Sequence, residues 1–131
     1  MSFYKNKALK ITCIVSVIMI CFVYHHYLNT DTKQIKYGAT YMTMNNTFYK
    51  AVNNEIENVV NNHGDVLYTR DPALDPKKQN EQIKDLVYLG IDVLIINPVE
   101  SSSINKTLKE VKKAGIKIII VDDTIRDDQI E

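Results

Sequence analysis

The stretch that decides the fold is residues 91–121, IDVLIINPVESSSINKTLKEVKKAGIKIIIV. Residues 91–97 are β-rich and almost wholly apolar at their centre, as a parallel strand covered on both faces requires. Pro98 ends this strand, and three serines then offer capping hydroxyls for a helix. The apolar positions of that helix are Ile104, Leu108, Val111 and Ala114. The helix ends at Gly115, and residues 116–121 predict the next parallel strand.

Two further strand–helix units precede this stretch. Residues 35–43 (IKYGATYMT) predict a first strand, and residues 65–69 (DVLYT) predict a short second one. The helix between them has its apolar positions at Phe48, Val52, Ile56, Val59 and Val60. The next helix opens at Asp75-Pro76 and ends at Gly90. The order is β-α-β-α-β-α-β, which predicts an α/β fold with an open, doubly wound parallel sheet.

Length and charge limit the function classes. The 131 residues (15.1 kDa) allow one small domain, and 16 basic residues balance 16 acidic ones. The first ten residues carry +3, which leaves −3 on the remainder. A mildly acidic body offers no basic face for phosphate, so we expect no nucleic-acid partner. Cys13 and Cys21 both lie in the N-terminal apolar run, so they predict neither a disulfide framework nor a metal site in the soluble part.

The N-terminal region predicts a membrane anchor. Residues 11–28 form an 18-residue run without Asp, Glu, Lys or Arg, the lower limit for a helix that crosses about 30 Å of hydrocarbon. The lysines before it predict that residues 1–10 are cytoplasmic. Residues 29–34 then form a polar linker, and the rest of the chain is expected outside the cytoplasm. A cleaved signal segment or lipidation at Cys21 are alternatives, although Ile20 stands where a lipobox needs a small residue.

Candidate binding residues follow the first and last strands. A doubly wound sheet binds ligands at the carboxyl ends of its strands. Asn46, Phe48 and Tyr49 follow the first strand, and Asp122 and Asp123 follow the fourth. An amide both donates and accepts, a carboxylate accepts two hydroxyls, and a ring face suits the C–H face of a sugar. These side chains therefore predict a binding site for a hydroxylated ligand.

Each of these residues also has a purely structural interpretation. Asn45-Asn46 can cap the first helix, and Phe48 and Tyr49 can pack that helix against the sheet. Asp122 and Asp123 can be a solvated strand end, because further acidic residues follow them. The argument for binding is that all of these residues are expected at the same edge of the sheet.

The sequence argues against catalysis. No phosphate-binding glycine loop, nucleophile elbow or metal-ligand spacing occurs in it. Adjacent aspartates in a doubly wound fold are also found in phosphotransfer receivers, which need an acidic pair after the first strand and an aspartate after the third. Here the first strand ends at Met44-Asn45 and the third at Asn97-Pro98. We therefore expect no enzyme, no cofactor and no metal.

Four motifs in order resemble the type I periplasmic sugar-binding proteins, those for ribose, xylose and galactose. They are residues 37–49 (YGATYMTMNNTFY), 75–79 (DPKKQ), 90–99 (GIDVLIINPV) and 114–122 (AGIKIIIVD). Lactose-repressor-like regulators share this fold, but they begin with a DNA-binding helix-turn-helix where this chain has an apolar segment. The resemblance implies the N-terminal lobe of a two-lobed fold that closes on a monosaccharide.

The resemblance also implies roles for individual residues. Asn46 matches an asparagine that hydrogen-bonds the sugar, Phe48 and Tyr49 match an aromatic pair around the ring, and Asp122 matches an aspartate that accepts sugar hydroxyls. Asp123 stands where ribose-type members have arginine, which argues against ribose itself.

The implied organisation is one lobe, residues 35–131, with the second lobe absent. Such a fragment is expected to bind sugar weakly. The partners that the resemblance implies are a monosaccharide and either an ABC permease or a membrane histidine kinase, at a bacterial cell membrane. The alternative is a remnant that docks such a partner without binding sugar.

Overall fold

The computed structural model describes residues 12, 14–25 and 33–122. The chain divides into two compact units, Met1–Lys33 and Gln34–Glu131. In the first unit, residues 14–25 form helix α1, with exposed side chains. No helix in the described part of the chain has the length and apolar character needed to cross a membrane. The predicted anchor, residues 11–28, lies only partly within the described residues, as does the linker.

The second unit has the predicted order of strands and helices. Its elements are β1 (Lys36–Thr40), α2 (Thr47–Asn62), β2 (Val66–Arg70), α3 (Pro76–Tyr88), β3 (Val93–Ile96), α4 (Ser101–Lys113) and β4 (Lys117–Ile120). The four strands form one parallel sheet in the order β2-β1-β3-β4. The predicted α/β parallel fold is thus confirmed.

The first strand is shorter than predicted, ending at Thr40 rather than at residue 43. The Met42 backbone bonds groups in the neighbouring loops, because its carbonyl accepts from Leu74 N (2.8 Å) and its N–H donates to Asn97 Oδ1 (3.4 Å). Residues 41–43 are therefore a loop held close to the sheet edge.

Two of the three helix N-caps predicted for the second unit are observed. The Asn46 side chain caps α2, and Asp75 caps α3 ahead of Pro76. The serine caps predicted for α4 are wrong, because these serines lie inside the helix and Glu100 is its N-cap. Ser103 Oγ instead donates to the Glu100 carbonyl at 3.0 Å.

Helices α3 and α4 cover one face of the sheet. Gly38 of β1 allows the close approach of α3, since a Cβ there would lie 2.8 Å from Ile91 Cδ1 and 3.0 Å from Leu86 Cδ1. The buried core of this face consists of Ile83, Leu86, Ile91, Leu94, Ile96, Ile104, Leu108, Val111 and Ile116. Tyr68 of β2 and Ile118 and Ile120 of β4 are partly buried against this core.

Helix α2 covers the opposite face, lying against β2 and the adjacent part of the sheet. Its buried core consists of Ala39, Tyr41, Tyr49, Val93 and Ile95. On β4, the side chains of this face are exposed, and Ile119 retains 49% of its accessible surface. Among the described residues, this face is therefore exposed chiefly at β4.

Candidate functional site

The candidate site lies where the sheet changes its direction of winding. Strands β1 and β3 are neighbours, but the chain leaves β1 toward β2 on one side and leaves β3 toward β4 on the other. The loops after two such strands diverge and leave a crevice at their carboxyl ends. Asn46 and Tyr49 follow β1, and Asn97 follows β3.

Asn46 is the N-cap of α2. Its Oδ1 accepts from Phe48 N at 2.9 Å, so the capping interpretation holds for this residue. The side chain is exposed, and its amide group has donor capacity beyond this bond. The cap fixes the amide at the start of the helix and beside the Phe48 backbone.

The two predicted aromatic residues have different environments. Phe48 is 54% exposed, whereas Tyr49 is 6% exposed. Their rings meet edge to face with centroids 5.3 Å apart, and Tyr49 also stacks on Tyr41 at 5.6 Å. Tyr49 therefore packs in the core, as its structural interpretation proposed, and Phe48 presents an open ring beside it.

Asp122 joins this group through the Tyr49 hydroxyl. The Tyr49 hydroxyl donates to Asp122 Oδ2 at 3.3 Å. The Tyr49 hydroxyl oxygen also lies 3.9 Å from Met42 Sδ. Asp122 is exposed and has a left-handed backbone (φ 57°), which aspartate tolerates better than most residues. The structure thus links Asn46, Phe48, Tyr49 and Asp122 through successive contacts, while Asp123 lies outside the described residues.

Asp71 also shapes the site, although it is not among the residues predicted from the sequence. Its Oδ1 accepts from Met44 N at 3.1 Å and from Ala73 N at 2.9 Å. One carboxylate therefore ties the loop after β1 to the loop after β2. Ala73 and Leu74 have positive φ values of 55° and 66° in this turn. The signal that was available is the Asp-Pro pair at residues 71–72, which is typical of turns.

A buried polar cluster lies beneath the loops. Gln79 is fully buried, and its Nε2 donates to the Asn97 carbonyl (3.0 Å) and to Thr40 Oγ1 (3.3 Å). Its Oε1 accepts from Val99 N at 2.8 Å, and Asn97 Nδ2 donates to the Val121 carbonyl at 2.9 Å. A satisfied buried network fixes the groups that it joins. Here it holds the loops after β1, β3 and β4 in one arrangement.

Tyr41 is the unsatisfied member of the site. Its hydroxyl is buried and has no hydrogen-bond partner within residues 33–122. Burial raises the pKa of Tyr41 to about 12. The described residues contain no cluster of three His, Cys, Asp or Glu that could hold a metal ion. The groups described at the carboxyl edge of the sheet are hydrogen-bonding side chains and aromatic rings.

Residues 37–130 match the family described as periplasmic binding protein domain. The chain belongs to this family. The resemblance seen in the sequence is therefore confirmed. The relatives named below are binding proteins by name.

Two curated relatives are sugar-binding proteins by name. The ribose import binding protein of Bacillus subtilis is 27% identical over 101 residues, which are 77% of this chain and 33% of the relative. The D-xylose-binding periplasmic protein of Escherichia coli is 36% identical over 53 residues, 40% of this chain and 16% of the relative. The chain thus spans at most about a third of their length.

Solved structures agree with this family. An ABC transporter solute binding protein from Mycobacterium smegmatis, solved with glycerol, has a TM-score of 0.67 at 33% identity, over 71% of this chain and 32% of that one. The Caulobacter myo-inositol binding protein has a TM-score of 0.66 over 72% of this chain and 32% of its own. At 19% identity the second likeness shows the fold alone.

Proposed function

We propose that residues 35–131 are one lobe of a monosaccharide-binding domain and that the carboxyl edge of its sheet is half of the sugar pocket. The observation that carries this proposal is the exposed Phe48 ring beside the hydrogen-bonded Tyr49–Asp122 pair. An apolar ring face next to a carboxylate suits a molecule with a C–H face and hydroxyl groups. The sugar-binding names of the relatives support the same class of ligand.

Each side chain has a distinct role in this proposal. The Phe48 face stacks on the apolar face of the sugar ring, and the Asp122 carboxylate accepts hydrogen bonds from its hydroxyls. Asn46 donates from its amide group. Tyr49 is a positioning residue, because its hydroxyl holds Asp122 Oδ2 and its buried ring supports Phe48. Asp123 is proposed as a further acceptor. Because ribose-type members have arginine at this position, the proposal disfavours ribose as the ligand.

Binding by this edge alone is expected to be weak. Phe48, Asn46 and Asp122 are exposed, so water competes for every hydrogen bond and only one side of the sugar is contacted. Relatives three times as long offer room for a second lobe on the other side. A dissociation constant at or above about 1 mM, roughly −4 kcal/mol, is the expected value for the chain alone.

The proposed physiological role is a binding component that delivers sugar to an ABC permease on the outer side of a bacterial membrane. Names such as import binding protein and ABC transporter solute binding protein support it. The 18-residue apolar run favours an anchored sensor for a histidine kinase as the second candidate. N-terminal sequencing of the mature protein separates them. A new terminus after the run favours transport, and an intact Met1 or Ser2 terminus favours sensing.

Saturation-transfer NMR with D-ribose, D-xylose and D-glucose tests the binding proposal on the full chain in mild detergent. We expect transfer to at least one sugar and its loss in Phe48→Ala and Asp122→Asn. The matched controls are Tyr88→Ala, an aromatic residue 92% exposed at the far end of α3, and Asp85→Asn on the same helix. Equal loss in the controls, or transfer that survives at Phe48→Ala, would contradict the proposal.

A further inference from the structure

Asn97 is a buried amide at the carboxyl end of β3, the strand that lies between β1 and β4. Its side chain is 2% exposed. Its backbone is bonded on both sides, because its N–H donates to the Thr40 carbonyl at 2.9 Å and its carbonyl accepts from Gln79 Nε2 at 3.0 Å. A residue held in this way presents its side-chain amide in one position.

The Asn97 amide joins the two arms of the proposed sugar site. Its Oδ1 accepts from Met42 N at 3.4 Å, and Met42 lies in the loop that leads to Asn46. Its Nδ2 donates to the Val121 carbonyl at 2.9 Å, and Val121 directly precedes Asp122. A carboxylate of the same shape accepts but cannot donate, so this pair of bonds requires the amide.

The backbone of Asp122 depends on such support. Its φ of 57° is in the left-handed region, a conformation that surrounding contacts must hold. The Val121 N–H donates to the Ile96 carbonyl at 2.8 Å, and the Val121 carbonyl accepts from Asn97. That carbonyl belongs to the planar peptide that joins Val121 to Asp122. The Asn97 bond therefore fixes the plane from which the Asp122 backbone continues.

We propose that Asn97 is a positioning residue of the sugar site, which holds the Asp122 carboxylate at a fixed distance from the Phe48 ring. This inference rests on the proposed function and names the residue that gives that site its geometry. Binding groups must be held within about 0.5 Å of the productive arrangement. Asn97 is buried and makes no contact with the sugar, so it acts through the loops that it joins.

Backbone ¹⁵N relaxation of the full chain in mild detergent, without sugar, tests the positioning. Asn97→Asp keeps an acceptor for Met42 N but loses the donor to the Val121 carbonyl. We expect the order parameter of the Asp122 amide to fall from about 0.85 to below about 0.6, while that of Met42 is unchanged. Asn97→Leu removes both bonds and is expected to lower both order parameters.

Asn53→Asp is the matched control. Asn53 is a second buried asparagine, 5% exposed, and its Oδ1 accepts from Thr69 Oγ1 at 2.8 Å. The control is expected to lower the thermal unfolding temperature as Asn97→Asp does, but to leave the Asp122 amide ordered. An Asp122 amide that is equally ordered, or equally mobile, in the original chain and in Asn97→Asp overturns the proposal. Equal loss of order in Asn53→Asp also overturns it.

Chemical-shift titration tests the consequence for binding. The sugar is whichever of D-ribose, D-xylose and D-glucose gives the strongest saturation transfer. We expect Asn97→Asp to weaken binding about fivefold, the scale of one hydrogen bond. At saturation, the shift of the Phe48 amide is retained and that of Asp122 is reduced, because the carboxylate alone has lost its position. Equal reduction at both amides, or the same loss of affinity in Asn53→Asp, overturns the proposal.

The two proposals fail in different ways. Absence of sugar transfer in the original chain overturns the proposed function. The relaxation experiment involves no sugar, so it still decides whether Asn97 positions Asp122. Normal sugar binding together with an unchanged Asp122 amide in Asn97→Asp overturns the role of Asn97 alone.

Discussion

The two faces of the sheet differ in how completely helices cover them. Helices α3 and α4 pack on one face against buried side chains of β3 and half-buried ones of β4, whereas α2 covers the other face over β1 to β3 and leaves Ile119 of β4 exposed. The strand order explains the difference. Crossovers between parallel strands are right-handed, so a step from β1 to β2 places its helix on one face. The two later steps run in the opposite direction and place their helices on the other. The strand order therefore decides on which face each of the described helices lies.

The largest expected difference concerns stability. Leu94 of β3 is fully buried under α3 and α4, and Leu94→Ala should lower the free energy of unfolding by about 3 kcal/mol, because it leaves a cavity. Ile119→Ala on the open face should cost less than about 1 kcal/mol, because its side chain is already half exposed. Urea unfolding at low protein concentration measures both. Similar losses for the two variants would show that the faces are equally covered.

The buried polar cluster under the covered face gives the next effect. Gln79→Leu should lower the free energy of unfolding by about 2 to 3 kcal/mol, since it leaves Val99 N and the Asn97 carbonyl without their partner. Glu81→Gln on the exposed side of α3 should stay within about 0.5 kcal/mol. An equally small change for Gln79→Leu would contradict a cluster that holds the strand ends.

Tyr41, in the core under α2, makes stability depend on alkaline pH. Its pKa is raised from 10 to about 12 by burial, so the folded chain keeps a proton that the unfolded chain loses. The contribution is complete below pH 10 and falls as pH rises through 12, by about 3 kcal/mol in all. Urea unfolding at a series of pH values measures this fall.

Tyr41→Phe supplies the control for that pH dependence. The variant should reduce the alkaline fall and match or slightly exceed the original stability at neutral pH, because it removes a buried hydroxyl that has no partner among residues 33–122. An unchanged alkaline fall would assign the effect to other tyrosines. A large loss at neutral pH would show that the hydroxyl is satisfied.

The smallest effect concerns the α2 cap. Asn46→Ala should lower stability by about 1 kcal/mol, because Phe48 N loses its acceptor. Asn45→Ala, next to it and also exposed, should have almost no effect. Thermal unfolding of the two variants compares them directly. A larger loss for Asn45→Ala would show that the cap is misassigned.

Much of the fold could be predicted because its signals are local. Periodicity located all three helices of the second unit, and the Asp75-Pro76 pair gave the start of α3. The end of β1 and the cap of α4 could not be predicted this way. Met42 bonds groups distant in sequence, at Leu74 and Asn97, and Glu100 displaces three serines that looked equally suitable.

The sequence predicted at which edge of the sheet the candidate site lies, but it did not predict which side chains contact one another there. The strand ends identified Asn46, Phe48 and Asp122, but the different burial of Phe48 and Tyr49 depends on the packing of Tyr41. Asp71 and Gln79 act on backbone groups of other loops, which no local pattern reveals. That β1 lies beside β3 depends on the strand order, which periodicity does not give.

The most direct test of the central claim maps sugar contacts onto the chain by backbone-amide NMR. The full chain in mild detergent, labelled with ¹⁵N, is titrated with the monosaccharide that gives the strongest saturation transfer. We predict saturable shifts at Asn46, Phe48 and Asp122 and unchanged amides at Ile95 and Ile119 within the sheet. Shifts confined to Ile95 and Ile119, or none at the carboxyl edge when the sugar is in large excess, would contradict the account.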